Sequence, residues 1–273
     1  EHMNKWTFPT QIYSGTGSLN RLTEFNNESI LIICDPSLKD SPSLTYVMGL
    51  MDSKNKVTTY TDVVPDPPIT HVVKGIEFIE GIKPTVIIAI GGGSCIDMSK
   101  GIAYFGRKLK HMDIKLFIAI PTTSGTGSEV TSYAVLTDKK NNIKIPLKDD
   151  EMIPEYAILD PELTKTLPKS VVADSGIDAL THAIESYTCK GANFYTKVYA
   201  LSAIRLIFKN LLRMYRDIKD EEARTEMAKA SCIAGFAFEK SGLGINHSVA
   251  HAIGGKFHIA HGKINGTILP YII

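Results

Sequence analysis

Residues 84–100, PTVIIAIGGGSCIDMSK, join an uninterrupted apolar run to three glycines and then to the start of an amphipathic segment. An apolar run without polar alternation predicts a strand that is buried on both faces, and residues 97–105 have helical apolar spacing. A strand, a glycine-rich turn and a helix in this order are typical of one unit of a parallel α/β sheet.

Similar units surround this stretch. Further strands are predicted at residues 30–34, 57–64 and 116–120, and a further helix at 71–81. Two short β-rich runs flank a polar turn and predict a hairpin, at residues 132–136 and 143–146. From about Pro168 only helical spacing remains, at residues 175–189, 194–218, 220–238 and 246–254. We therefore expect an α/β, Rossmann-like domain with a parallel sheet over residues 4–165, followed by an all-α domain over residues 166–273.

Composition argues against several classes of protein. The 273 residues carry a formal net charge of +1, which gives no reason to expect nucleic acid or a membrane as a partner. No apolar run reaches the roughly 18 residues of a membrane span. The four cysteines form no CxxC pair, and their scatter is typical of reduced thiols in a cytoplasmic protein.

Two glycine-rich loops follow successive predicted strands. The first, Gly91-Gly92-Gly93-Ser94, lets a backbone approach a phosphate at a helix N-terminus, although it is neither GxGxxG nor a P-loop. The second, PTTSGTGSE at residues 121–129, is rich in N–H and O–H donors. A tight turn and a flexible connector are the alternatives. Because both loops follow strands of one sheet, they predict a nucleotide site at the carboxyl ends of those strands.

Asp35 ends the first strong strand of the sequence. A carboxylate at this position accepts hydrogen bonds from a ribose diol and repels a 2′-phosphate, which favours NAD over NADP. The alternative is a turn-forming aspartate before Pro36. The sequence alone leaves both interpretations open.

One carboxylate and several histidines form a second pattern, in the helical half. Asp178 and His182 lie four residues apart and share a face of one predicted helix, and His247 and His261 follow further along. Each residue alone has an ordinary explanation as a surface pair or a hydrogen-bonded core side chain. Together, a carboxylate and imidazoles suit a divalent transition metal that keeps a position open for substrate.

Two further histidines lie in the same region. His251 repeats the four-residue spacing after His247, and its alternative role is that of a hydrogen-bonded core histidine. His258 lies three residues before His261 and competes with it as a metal ligand. The pattern of the residues does not by itself decide between them.

The motifs resemble those of the iron-containing (group III) alcohol dehydrogenases. The matching segments are GGGSCIDMSK, PTTSGTGSEVTS, AILDPELTKTLP, GIDALTHAIESY and GLGINHSVAHAIGGKFHIAHG, which span nearly the whole chain in the family's order. The segments YSGTGSL, PTTSGTGSEVTS and GGKFHIAHG most resemble the propanol dehydrogenase branch of propanediol-utilisation enzymes. Family members continue through further helices, so the resemblance implies that the second domain is incomplete at its C-terminal end here.

The resemblance also implies roles for individual residues. The metal, Fe(II) in most relatives and Zn(II) in some, is held by Asp178, His182, His247 and His261. His251 is then the histidine that lies near the nicotinamide without binding the metal. Asp66 departs from the family, which usually has Asn at that position. Contacts with NAD are implied for Asp35, Gly92, Gly93, Ser94, Asp97, Thr122, Thr123, Thr126, Thr131 and Lys144.

The resemblance implies a cytoplasmic bacterial enzyme that interconverts short primary alcohols, such as 1-propanol, and aldehydes by hydride transfer to and from NAD. A homodimer is expected, and association with a microcompartment follows from the propanol dehydrogenase branch. The alternatives are a zinc-dependent polyol or glycerol dehydrogenase of the same superfamily and a catalytically impaired, cofactor-binding fragment. A metal-dependent phosphohydrolase would need an HD dipeptide or clustered carboxylates, which the sequence lacks near the site.

Overall fold

The computed structural model describes residues 6–257 and 259–272. Its first half contains six parallel strands: β1 (Gln11–Ser14), β2 (Ser29–Cys34), β3 (Lys56–Tyr60), β4 (Val86–Gly91), β5 (Leu116–Pro121) and β8 (Tyr156–Leu159). They form one sheet in the order β1-β8-β5-β4-β2-β3. The expected α/β fold with a parallel sheet is confirmed.

Helices cover both faces of the sheet, because the central strands are apolar on both faces. On one face, Ile87 and Ala89 of β4 pack with α2 (Ile69–Ile82) and α3 (Gly93–Lys110). On the other face, Ile88 and Ile90 belong to the apolar core that includes α1 (Pro42–Gly49). These two cores fix the carboxyl ends of β4 and β5 relative to the N-terminus of α3.

The predicted hairpin is present as the antiparallel pair β6 (Tyr133–Asp138) and β7 (Ile143–Lys148). Three elements of this half were not predicted. Strands β1 and β8 have only four residues each, and α1 has eight, so their periodicity is weak. The prediction for β3 was too long, since that strand ends at Tyr60.

In the second half, every regular element of the described residues is a helix, as expected. It consists of α4 (Lys169–Thr188), α5 (Phe194–Arg216), α6 (Glu221–Ser241), α7 (Ile245–Phe257) and α8 (His261–Ile272). Helix α8 was not predicted. Within the described residues, no helix has the length and apolar character that a membrane crossing requires.

Two glycines allow the helices to approach the site closely. Gly125, in the loop after β5, faces α4, and a Cβ built on it would lie 2.7 Å from the backbone oxygen of Ser175. Gly262, in the first turn of α8, faces the same helix, and a Cβ there would collide with the backbone oxygen of Asp174. Helix α4 therefore packs against the sheet loop on one side and against α8 on another.

Candidate metal and nucleotide site

A cavity of about 540 Å³ lies between the carboxyl edge of the sheet and the helical half. The first half contributes six of the residues that were predicted to contact the cofactor: Gly93, Ser94, Asp97, Thr126, Thr131 and Lys144. The second half contributes all four predicted metal ligands and the nicotinamide-side histidine: Asp178, His182, His247, His261 and His251. The fold therefore brings both groups of motifs into one space.

Four of the predicted cofactor residues lie along the same sheet edge but do not line this cavity: Asp35, Gly92, Thr122 and Thr123. A Cβ built on Gly92 would lie 3.5 Å from the Thr123 side chain, so the two loops touch at this point. Asp35 and Thr122 each donate a backbone N–H to the end of β4, at 3.1 and 3.0 Å. Their contact with a cofactor stays a prediction.

Three of the predicted metal ligands converge at one end of the cavity. One donor atom from each of Asp178, His247 and His261 lies within 4.8 Å of the other two. Asp178 Oδ1 is 3.6 Å from Nε2 of His247 and 3.6 Å from Nε2 of His261. Because these residues come from α4, α7 and α8, the cluster forms only when the three helices pack together.

The side-chain amide of Asn265 lies among these three donors. Its Nδ2 is 2.8 Å from Asp178 Oδ1, 3.2 Å from His247 Nε2 and 3.1 Å from His261 Nε2. An amide group has two hydrogens and cannot donate to three acceptors at once, whereas a metal ion accepts electron pairs from all of them. The donor set therefore fits a metal ion. Sequence reasoning missed Asn265, although it follows His261 by four residues on the same helix face.

His182 lies beside this cluster. Its Nδ1 is 3.1 Å from the carbonyl oxygen of Gly125, which accepts a hydrogen bond when Nδ1 carries the proton. The ring stacks on His247 and on Phe238, with centroid separations of 4.4 and 4.5 Å. In this tautomer Nε2 keeps its lone pair, which is the form a metal ligand needs. Assignment of His182 as a fourth ligand stays a prediction.

The protonation states of the cluster suit metal binding. Burial lowers the pKa of His182 to about 3 and the pKa of His251 to about 4, and it also lowers the pKa of His261. Burial opposes ionisation of Asp178, but the neighbouring histidines together hold the pKa of this carboxyl well below its usual range. Near neutral pH His182, His251 and His261 are therefore neutral and Asp178 is ionised, which are the forms that bind a metal.

Glu185 is a second residue that sequence reasoning missed. Its Oε2 lies 2.5 Å from His247 Nδ1, on the side of the ring opposite the cavity. Burial lowers the pKa of His247, but the neighbouring carboxylates of Asp178 and Glu185 outweigh burial and raise it. A signal was present, since Asp178, His182 and Glu185 are spaced i, i+4 and i+7 and share one face of α4.

On the nucleotide side, several predicted residues have partners within the protein. The carboxylate of Asp97 accepts hydrogen bonds from Ser128 Oγ at 2.5 Å and from the Val135 N–H at 2.9 Å. The buried Lys100 donates from Nζ to the carbonyl oxygen of Thr131 at 2.7 Å and to its Oγ1 at 3.2 Å. These bonds fix the loop after β5 against α3, so the loop is held in place rather than flexible.

The unexpected Asp66 forms an ion pair across the cavity. Its Oδ1 lies 2.7 Å from Lys144 Nζ, and its backbone N–H donates to Ser94 Oγ at 3.3 Å. Asp66 adopts a left-handed φ of 49°, a conformation that aspartate and asparagine tolerate better than most residues. The departure from the family pattern therefore supplies Lys144 with a charged partner.

His251 lies next to the donor cluster, with its ring centroid 5.0 Å from that of His261 and 6.3 Å from that of His247. This position allows a role beside the metal without ligation. The competing candidate His258 lies outside the described residues.

Comparisons with known proteins agree with this geometry. A family model described as iron-containing alcohol dehydrogenase matches residues 9–161, and the model of the C-terminal part of the same family matches residues 172–273. The chain belongs to the iron-containing alcohol dehydrogenase family. The oxidoreductase activity predicted from the sequence is therefore confirmed, with NAD and iron as its cofactors, and the phosphohydrolase alternative is excluded.

Two named members of the family are about 40% identical to this chain. The 1-propanol dehydrogenase PduQ of Salmonella typhimurium is 41% identical over 271 residues, which cover 99% of this chain and 73% of that protein. An NADPH-dependent butanol dehydrogenase of Clostridium saccharobutylicum is 40% identical, with 99% of this chain and 74% of that protein covered. The expected resemblance to propanol dehydrogenases is confirmed.

A solved structure of the sulfoacetaldehyde reductase of Bifidobacterium kashiwanohense, in complex with NAD+, has the same fold. The two chains superpose with a TM-score of 0.89 at 31% identity. The similarity covers 99% of this chain and 76% of that one. The fold class predicted from the sequence is thus shared with an enzyme whose structure contains a dinucleotide.

Proposed function

We propose that this alcohol dehydrogenase interconverts short primary alcohols and aldehydes, with 1-propanol and propionaldehyde as its preferred pair and NAD as its coenzyme. One observation carries the proposal: the hydroxyl- and glycine-rich loops of the sheet line the same cavity as the Asp178, His247 and His261 cluster. Similarity to 1-propanol dehydrogenase PduQ supports the choice of a three-carbon substrate.

Asp178, His182, His247 and His261 are the residues that hold the metal ion in this proposal. A metal ion at this position supplies Lewis acidity to an alcohol or carbonyl oxygen. The chain contributes the negative charge of Asp178, which is 4% exposed, and keeps His247 similarly enclosed at 3% exposure. This enclosure limits the access of water, and electrostatic interactions in the cavity are stronger for that reason.

The coenzyme is proposed to lie along the edge of β4 and β5. The N-terminus of α3, at Gly93 and Ser94, presents backbone N–H groups and a partial positive charge, which suit a pyrophosphate. Hydride transfer at the nicotinamide is the coenzyme's own chemistry. The protein must hold the two reacting carbons about 3–3.5 Å apart, which the loop fixed by Lys100 and Thr131 supports.

His251 is proposed to relay the alcohol proton to solvent. A free imidazole titrates near the working pH, but burial lowers the pKa of His251 to about 4. The ring is therefore neutral near pH 7, with a lone pair that can accept the alcohol proton; the low pKa makes proton uptake costly and onward release to solvent favourable. His251→Ala should lower turnover and leave the metal bound. Loss of metal in proportion to activity would instead assign His251 as a ligand.

The decisive experiment measures NADH-dependent reduction of propionaldehyde by the chain after anaerobic loading with Fe(II), with metal-free protein as the control. We expect NADH oxidation only in the loaded sample. Faster turnover of glycerol with Zn(II) would favour the polyol dehydrogenase alternative. A loaded sample that binds NADH without turnover would favour the impaired, cofactor-binding alternative and overturn the proposed reaction.

We further propose that residues 4–165 form the dinucleotide-binding domain and residues 166–273 the metal-binding domain of a cytoplasmic homodimer. Support comes from the change of architecture between β8 and α4 and from the family's two models, which divide the chain at a similar place. Light scattering in solution tests the dimer, because a monomeric mass at micromolar concentration would contradict it.

A further inference from the structure

Glu185 accepts three hydrogen bonds from the N-terminal turn of α7. Oε1 accepts the N–H of Asn246 at 2.7 Å, and Oε2 accepts the N–H of His247 at 3.1 Å. Oε2 also lies 2.5 Å from Nδ1 of the His247 ring. The carboxylate therefore holds both the backbone and the side chain of His247, although it comes from α4, more than sixty residues earlier in the chain.

The chain provides space for this carboxylate. The side chain of Glu185 is 6% exposed, so few water molecules compete for its oxygens. Gly244 lies directly before α7, and a Cβ built on it would be 2.7 Å from Glu185 Oε1. Any larger residue at position 244 would press on the carboxylate. The glycine and the glutamate thus form one fitted contact at the start of the helix.

The orientation of the His247 ring follows from these bonds. A carboxylate accepts hydrogen bonds, so its contact with Nδ1 places the proton on that nitrogen. Nε2 then keeps its lone pair and faces Asp178 Oδ1 at 3.6 Å, on the cavity side. Histidines that bind metals commonly donate their other ring N–H to a carboxylate, which fixes the tautomer and makes the ligand more basic.

We propose that Glu185 is a positioning residue of this enzyme, which holds His247 in the tautomer and orientation required for metal binding. Glu185 does not line the cavity of the donor cluster and acts only through His247. The inference rests on the proposed role of His247 as a metal ligand. It differs from a purely structural role, in which Glu185 would stabilise the N-terminus of α7 without any influence on the metal.

The test uses Co(II) as the probe metal, titrated anaerobically into the full chain against a chelator of known affinity while the visible absorption is recorded. Glu185→Gln keeps the size and one acceptor oxygen but loses the charge, and it should weaken Co(II) binding about tenfold. Glu185→Leu lacks any acceptor and should weaken it about a hundredfold. Both should change the absorption spectrum of the bound ion.

Asp220→Asn is the matched control. Asp220 is also a carboxylate that accepts an N–H at a helix N-terminus, that of Ala223 at 3.0 Å, but it lies at the start of α6 and does not line the donor cavity. We expect Co(II) affinity within twofold of wild type in this variant. Gly244→Ala leaves both Glu185 and His247 intact, and it should weaken Co(II) binding because the new methyl group displaces the carboxylate.

The outcomes separate this inference from the proposed function. If Glu185→Gln binds Co(II) within twofold of wild type and with an unchanged spectrum, the positioning role is wrong, whether or not Glu185→Leu folds. If His247→Ala binds Co(II) as wild type does, both the ligand assignment and the role of Glu185 fail. If wild type binds Co(II), His247→Ala does not, and propionaldehyde is still not reduced, only the proposed reaction fails.

Discussion

The two sides of the cavity are built in different ways. The sheet side consists of two loops that follow neighbouring strands, and it relies on backbone groups, small side chains and glycines such as Gly93. The helical side consists of charged and imidazole side chains from α4, α7 and α8, with Asp178 at its centre. The first side is defined by local backbone geometry, and the second by the packing of distant helices.

This difference determines which changes damage which half of the site. On the sheet side, added bulk should reduce coenzyme binding and leave the metal in place. On the helical side, either the loss of a donor or the displacement of a helix should release the metal, because the donors come from separate helices.

The largest effect should come from the only carboxylate in the donor cluster. Asp178→Ala removes the negative charge that offsets the metal, so we expect metal affinity to fall by more than about a hundredfold and aldehyde reduction to fall with it. Metal content by mass spectrometry after gel filtration measures the change. Asp174→Asn, one turn earlier on α4, is the control and should retain its metal. Full metal occupancy in Asp178→Ala would contradict the assignment.

The second prediction breaks the helical side without removing a donor. Gly262→Ala introduces a methyl group against the backbone oxygen of Asp174, so α8 must move away from α4 and carry His261 with it. We expect metal affinity to fall about tenfold or more, which is comparable with the loss of a residue that hydrogen-bonds a metal ligand. Gly49→Ala is the control, because no atom lies within 4 Å of a Cβ at that position. Unchanged metal affinity in Gly262→Ala would show that α8 does not position a ligand.

The third prediction adds bulk on the sheet side of the cavity, where it should weaken coenzyme binding and spare the metal. A Cβ on Gly93 would lie 2.5 Å from Thr126 Cγ2, where the two loops meet at the cavity. Gly93→Ala should therefore raise the dissociation constant of NADH about tenfold, equivalent to ~1.4 kcal/mol, with normal metal content. Fluorescence titration with NADH measures this dissociation constant. Gly81→Ala on α2 is the control, because no atom lies within 4 Å of a Cβ at that position. Loss of metal in Gly93→Ala would refute the separation of the two sides.

A smaller change should alter the choice of coenzyme. Asp35 Oδ1 accepts hydrogen bonds from the N–H and Oγ of Ser37, at 2.9 and 2.7 Å, which holds the carboxylate at the end of β2. Asp35→Ser removes the charge that repels a 2′-phosphate, so the ratio of kcat/KM for NADPH to that for NADH should rise about tenfold. A butanol dehydrogenase that is 40% identical to this chain depends on NADPH, whereas a solved structure of the same fold contains NAD+. An unchanged ratio, as expected for Asp52→Asn, would leave Asp35 with only its turn-forming role.

The contrast between local loops and distant helices also explains which elements could be predicted from the sequence. The buried strands β2, β4 and β5 and the loops after them were found because a strand, its turn and its helix are contiguous in the chain. Strands β1 and β8 were missed because four residues give too little periodicity, and α8 was missed because it follows a glycine- and histidine-rich segment and contains Pro270.

The site was partly predictable for the same reason. The four proposed ligands were chosen from spacing and family resemblance, and the structure places all of them at one cavity. Asn265 and Glu185 were not chosen, because their importance comes from partners 87 and 62 residues away. Spacing within one helix shows which residues share a face, but it does not show which other helix packs there.

The smallest predicted effect on the site itself comes from Glu129, whose replacement should change the stability of the sheet side and leave metal binding unchanged. Glu129 is a buried residue at the end of the loop after β5, and burial raises its pKa from 4.5 to about 7. Between these two values the folded protein keeps a proton that the unfolded chain has released, so the stability of the wild type falls as the pH rises from 4.5 to 7. Above this window both forms are ionised, and the loss stays constant.

Glu129→Gln does not titrate and should escape this loss. Its free energy of unfolding relative to wild type should increase from pH 4.5 to pH 7 by roughly 1–3 kcal/mol and then level off. Urea unfolding of both proteins at pH 4.5, 6, 7 and 8 measures this difference. Protonation of the buried histidines at the acid end affects both proteins equally and cancels. A difference that is constant, or that shrinks as the pH rises, would show that Glu129 is ionised throughout. Metal affinity should not change, because Glu129 belongs to the sheet side and does not line the cavity.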